Sequence, residues 1–71
     1  MKCVDSIRTG ENIRELMKKQ NISESDIARA LQVSCQSVSK WVHGKSYPTL
    51  DNLVLLSRVL KVRISDILVE L

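Results

Sequence analysis

The chain contains no phenylalanine, one tryptophan and one tyrosine in 71 residues. Surfaces that stack unpaired bases use several exposed rings, so a platform for single-stranded nucleic acid is excluded. The two cysteines, Cys3 and Cys35, stand far apart and form neither a disulfide framework nor a zinc spacing. That suits a reducing, cytoplasmic setting. The longest bulky apolar run, Leu53 to Leu56, is far too short to cross a membrane. The amino terminus lacks the apolar stretch of a secretory signal. There is no glycine-rich phosphate loop, no nucleophile–base pair and no paired carboxylates with a pocket, so an enzyme is not expected. A chain of this size would struggle to enclose a substrate pocket of roughly 300 Å³ or more. His43, the one histidine, has no Cys, His or carboxylate pair nearby, so neither a metal nor another cofactor is expected. No β pattern, repeat, linker or low-complexity segment is visible. The net charge of +3 fits a nucleic-acid partner without requiring one.

What is present is concentrated between Ser23 and Val42. Ile27 and Leu31 share a face at i,i+4 spacing, with Ala28 beside them. Val38 and Trp41 share one at i,i+3, and Val42 extends it. Only Gln32, Val33 and Ser34 lie between these two short helical patterns. Helices joined so tightly must cross steeply rather than run antiparallel. Ala28 falls where the crossing would be closest, and a larger side chain there would force the helices apart. Trp41 lies on the inward face and reads as a core anchor, not as a ring for stacking a ligand. The opposite face of the second pattern carries Cys35, Gln36, Ser39 and Lys40, a polar set without acids.

Around this pair the chain reads as further helices. Met1 to about Asp5 is expected to fray. Asp5, Ser6 or Thr9 could cap a first helix over about 6–20, with Ile13, Leu16 and Met17 apolar and Ile7 joining at the start. Asn21 is a fitting left-handed stop. Ser23, with Asp26 three residues on, completes a capping box for helix 24–31. Ser34 caps helix 35–42, which ends before Gly44. Pro48 and Thr49 open helix 50–60, expected to bury Leu50, Leu53, Val54, Leu56 and Leu60. Lys61 to Arg63 turn the chain into a short helix at about 64–69.

These residues carry a resemblance. Ser23, Ile27, Ala28, Leu31, Val33, Ser34, Val38, Ser39, Trp41, Gly44, Lys45, Pro48 and Leu50 fall in register with the phage-repressor-like helix-turn-helix family of the Xre and Cro/C1 type. The likeness runs from about Glu11 to Leu68 and spans more than twenty positions in register. It implies an all-α, compact five-helix bundle, a lambda-repressor-like DNA-binding domain in one unit over 1–71, with the third helix in the DNA major groove. It also implies a repressor-like transcriptional regulator that binds two-fold sites as a dimer. Cys35, Gln36, Ser39 and Lys40 would then meet base edges. Ser23, Glu24, Ser34, His43, Lys45, Ser46, Tyr47 and Thr49 would lie toward phosphates, Lys45 foremost. Ile27, Ala28, Leu31, Val38 and Trp41 would form the core. Ile64, Leu68 and Leu71 either close the core or offer a homodimer surface. Cys35 has no visible resolving cysteine and reads as a small groove-facing side chain.

Four positions depart from the family pattern. Glu24 stands where a phosphate-holding glutamine is common. Met17 and Val42 replace an arginine–glutamate pair, so a hydrophobic contact is expected in place of a buried ion pair. Gln32 stands where a glycine usually makes the turn. Because fold does not fix function, a second reading keeps the scaffold but makes it a protein-interaction or antitoxin-like module.

Overall fold

Asp5 decides where the first helix begins. Its backbone is extended and its side chain accepts from the Arg8 N–H at 3.0 Å, satisfying one of the donors left open at a helix start. In the computed structural model, which describes residues 4–70, α1 runs Ser6–Gln20, α2 Glu24–Leu31, α3 Cys35–Val42, α4 Leu50–Leu60 and α5 Ile64–Ile67. Ser23, Ser34 and Thr49 cap the next three, each accepting from the backbone N–H three residues on. These are the caps expected from sequence, and the boundaries of the first four helices follow from them.

Three helices stop the same way. Asn21, Gln32 and Lys61 all take left-handed backbone angles, with φ of 56°, 57° and 58°. None is glycine. Asn21 tolerates this conformation, whereas a longer side chain pays a steric cost of roughly 1 kcal/mol. The turn inside the helix pair therefore does use the conformation that the family's glycine suits. Gln32→Gly should raise stability by about 1 kcal/mol, read from the midpoint of chemical unfolding. A variant no more stable than the parent would mean that the glutamine side chain makes a compensating contact.

The core is shared by all five helices. Ile13 and Met17 of α1, Ile27, Ala28 and Leu31 of α2, Val38, Trp41 and Val42 of α3, Leu53, Leu56 and Leu60 of α4, and Ile67 of α5 are buried together in one cluster. Met17 and Val42 are both buried in this one cluster, as the substitution of an ion pair by apolar contact requires. Gln20 further ties the end of α1 to α4 by donating to the Leu60 carbonyl.

Several expectations need correction. Ile7 is 62% exposed and Leu50 73%. Ile7 lies six residues before Ile13, about 240° around the helix, so it faces away from the buried stripe. Leu50 has the right periodicity, but it is the first residue of α4, at the rim beyond the core's end. Ser6 and Thr9 are not caps; Thr9 is buried and accepts from the Val69 N–H at 3.0 Å. The helix at 64–69 ends at Ile67, because Leu68 is already extended. Val4 and Asp5 are not frayed. Val4 forms an antiparallel bridge with Glu70, and the Asp5 N–H donates to the Val69 carbonyl at 2.7 Å. The expectation of fraying at Met1, Lys2 and Cys3 falls outside the described residues, as does the role of Leu71.

Candidate nucleic-acid interface

The start of α2 is fixed by a reciprocal pair of hydrogen bonds. Ser23 Oγ accepts from the Asp26 N–H at 3.1 Å, and Asp26 Oδ2 accepts from the Ser23 N–H at 3.0 Å. The bond from the Ser23 backbone, then that from its side chain, and least of all Arg29, hold the Asp26 carboxyl below its ordinary value. A depressed folded value means that this support is present at neutral pH and is lost as pH falls through it. At the other end of α2, the Val33 N–H returns to the Ala28 carbonyl at 3.0 Å. Ser34 follows immediately as the cap of α3, its Oγ accepting from the Ser37 N–H at 3.1 Å. Gln32 and Val33 are thus the whole of the connection. The crossing of α2 and α3 is set by backbone bonds and by the burial of Ile27, Ala28, Leu31 and Val38.

With Val38, Trp41 and Val42 turned inward, α3 presents the rest of its residues outward. Cys35, Gln36 and Lys40 are exposed and Ser39 is half-buried. Gln36 and Lys40 stand one turn apart, on one face. Cys35 Sγ lies 3.9 Å from Ser25 Oγ on α2. Ser37, not singled out in the sequence, is half-buried with its hydroxyl 3.0 Å from that of Ser34. No periodicity marks such a hydroxyl pair.

The residues expected to meet phosphate divide by what they already do. Ser23, Ser34 and Thr49 use their hydroxyls as caps, leaving early backbone N–H groups of α2, α3 and α4 as donors toward solvent. Lys45 is exposed and its backbone N–H is pinned to the Lys40 carbonyl at 2.8 Å. Ser46 is half-buried beside it. His43 Nδ1 lies 2.8 Å from the Ser39 carbonyl, which can only accept, so Nδ1 carries the proton. The ring can then donate to a phosphate through Nε2 only when it holds a second proton. The Tyr47 hydroxyl donates its proton to the Val4 carbonyl at 2.9 Å. Glu24 is half-buried at the first position of α2. Among the described residues the ion pairs are Arg8–Asp5 and Arg29–Asp26, and neither involves Glu24, Lys40 or Lys45.

Two surface depressions lie elsewhere. One of about 390 Å³ is lined by α1 residues and Ile22, and one of about 340 Å³ by α1 and Val69. Neither contains a residue of α3. Among the described residues no three His, Cys, Asp or Glu side chains are grouped to hold a metal ion. No helix of the described residues is long and apolar enough to cross a membrane.

Two short helices crossing at a two-residue connection, the second with a free polar face, define a helix-turn-helix protein. The profile of the helix-turn-helix family matches residues 13–67, and the chain belongs to this family, in its Cro/C1-type branch. It is 41% identical over 56 residues to the HTH-type transcriptional regulator DicA of Escherichia coli K12, covering 79% of this chain and 42% of that protein. It is 33% identical over 58 residues to the HTH-type transcriptional activator BcrR of Enterococcus faecalis, covering 82% of this chain and 28% of that protein. The matched region thus spans less than half the length of these relatives. Among solved structures, the DNA-binding domain of the P22 c2 repressor superposes with a TM-score of 0.75 at 30% identity, over 80% of this chain and 75% of that one. The same fold is also built into a larger enzyme. The hydroxypropylphosphonic acid epoxidase from S. wedmorenis matches with a TM-score of 0.83 at 20% identity, over 97% of this chain but 36% of that one. That likeness concerns the fold alone.

Proposed function

We propose that this chain reads a specific sequence in double-stranded DNA and so regulates transcription in the cytoplasm, without enzymatic activity. The observation that carries this reading is the outward face of α3. It is polar, free of acids, and lies directly after the tight connection. A helix fits the major groove, and its exposed N-terminal side chains reach base edges there. Gln36 suits paired hydrogen bonds to adenine, and Lys40 donation to guanine O6 and N7. Each such contact discriminates by roughly 1–3 kcal/mol. Ser39 serves several bases, and Cys35 rests against a thymine methyl. Lys45, Ser46 and the helix starts after Ser23, Ser34 and Thr49 hold the flanking phosphates. The small interface of one unit is doubled in a homodimer through α5 and the residue that follows it, where Ile64 and Leu68 are only half-buried.

Selection from a random duplex pool tests this directly, with a Gln36→Ala/Lys40→Ala double variant alongside. A two-fold motif that the variant no longer recovers is the expected result. If the folded protein enriches nothing, the scaffold serves protein interaction instead.

Glu24 works against phosphate. A carboxylate facing the DNA backbone repels it, so Glu24→Gln should tighten binding several-fold at low salt. By removing the repulsion it should also steepen the dependence on salt. Equal affinities in a titration at two salt concentrations would place this carboxylate away from the duplex.

A further inference from the structure

Tyr47 lies in the loop between α3 and α4 and is 49% exposed. A tyrosine so placed commonly leaves its hydroxyl to water. Here the hydroxyl donates to the carbonyl of Val4, 43 residues earlier in the chain. Val4 pairs antiparallel with Glu70, and the Asp5 N–H donates to the Val69 carbonyl. The Val69 N–H donates in turn to Thr9 Oγ1, and Thr9 is only 2% exposed within α1. One turn further along α1, Asn12 Nδ2 donates to the carbonyls of Asp66 and Ile67. These bonds form one continuous path. It leads from the loop carrying Lys45 and Ser46, through the first described residues and the last, into α1.

We propose that Tyr47 is a positioning residue for DNA binding. Its hydroxyl, anchored through Val4 to the Val69–Glu70 segment and Thr9, holds the loop that presents Lys45 and Ser46. This rests on the DNA-binding reading above. Among the described residues the loop's other hydrogen bonds run to the end of α3, and Gly44 packs closely against Ile7 of α1. Gly44 N–H donates to the Trp41 carbonyl, and the N–H groups of Lys45 and Ser46 donate to that of Lys40. They fix where the loop leaves α3 but not its outer part. Tyr47 fastens that part to a different piece of the fold. A phosphate contact from Tyr47 would need the one proton already given to Val4. The C-terminal extended segment and the DNA-facing loop therefore move as a unit.

A double-variant cycle on duplex affinity tests the tie. Tyr47→Phe keeps the ring and removes the donor. It should weaken binding about three- to tenfold, the range that one modest hydrogen bond converts to. Thr9→Val keeps the shape of the side chain, removes the acceptor for the Val69 N–H, and should weaken binding by a similar factor. Thr9→Ser should bind like the parent. The Tyr47→Phe/Thr9→Val double variant should bind within about twofold of the weaker single variant. Losses that multiply would overturn the tie. So would a loss from Tyr47→Phe with none from Thr9→Val, which would make Tyr47 a direct contact. Amide exchange gives a readout without DNA: Tyr47→Phe should speed exchange at the Asp5 N–H, which donates to the Val69 carbonyl, and an unchanged rate would also overturn the tie. A parent protein that binds no duplex overturns the DNA reading itself, and with it this role for Tyr47.

Discussion

Gly10→Ala should lower the unfolding temperature by roughly 10 °C, although alanine is the better helix former. Gly10 sits in the second turn of α1 and is buried. A Cβ built there would lie 2.6 Å from the Trp41 carbonyl oxygen, 2.7 Å from that of Val42 and 2.9 Å from the Val42 carbonyl carbon. All three are backbone atoms at the end of α3, so no flexible side chain can swing away. Relief requires α1 and α3 to separate by several tenths of an ångström in a packed interior, at about 1–3 kcal/mol or more. Exchanging glycine for alanine in a helix returns about 1 kcal/mol, less than the upper part of that range. The net loss should be about 2 kcal/mol, and each kcal/mol moves the midpoint of a chain this size by about 4–8 °C. Thermal unfolding followed by circular dichroism measures it. An unchanged or higher midpoint would mean that the two helices are not in backbone contact at Gly10. The consequence reaches the site, because the displaced element is the end of the helix that carries Lys40.

Gly10 also marks the limit of what the sequence discloses. Within an apolar periodic stretch a glycine reads only as an unfavourable residue; its purpose depends on α3, some thirty residues away. The legible features were local. Ser23 with Asp26, Ser34 and Thr49 announced helix starts because a capping hydroxyl or carboxylate acts within three residues. Asn21 announced a stop because asparagine tolerates left-handed angles. Lys61 ends α4 with the same geometry, but lysine carries no such signal, so only a turn could be read there. The outward face of α3 followed from spacing, since Val38 and Trp41 fix which side is buried. Leu50 shows the converse. Periodicity gives the angular position of a side chain but not how far the core extends along the axis. The pairing of Val4 with Glu70 was hidden for a third reason: a bridge this short has no alternation to detect, and its ends are separated by almost the whole chain.

The replacement of an ion pair by Met17 and Val42 leads to the largest effect. Val42 is 2% exposed and Met17 6%, both within the shared core. A carboxylate introduced alone at this place would lose its water without gaining a cation. The ion pairs among the described residues involve Asp5 and Asp26, outside the core, and no arginine or lysine belongs to the buried cluster. Val42→Glu should therefore cost roughly 3–5 kcal/mol, the cost of a buried charge left without its partner. A chain of 71 residues at about 0.05–0.15 kcal/mol per residue has only some 4–10 kcal/mol to lose, so the variant should lose between about a third and all of its stability. Burial favours the neutral acid, so its folded pKa is raised. The deficit should then shrink as pH falls through that raised value toward the ordinary carboxylate range. Adding Met17→Arg should recover much of the loss, as a double-variant cycle on urea midpoints would record. The recovered protein need not exceed the parent, because an apolar contact has no desolvation cost to offset. A loss below about 1 kcal/mol for Val42→Glu, the level of an ordinary surface change, would show that the carboxylate reaches solvent and that the two positions do not substitute for a buried pair.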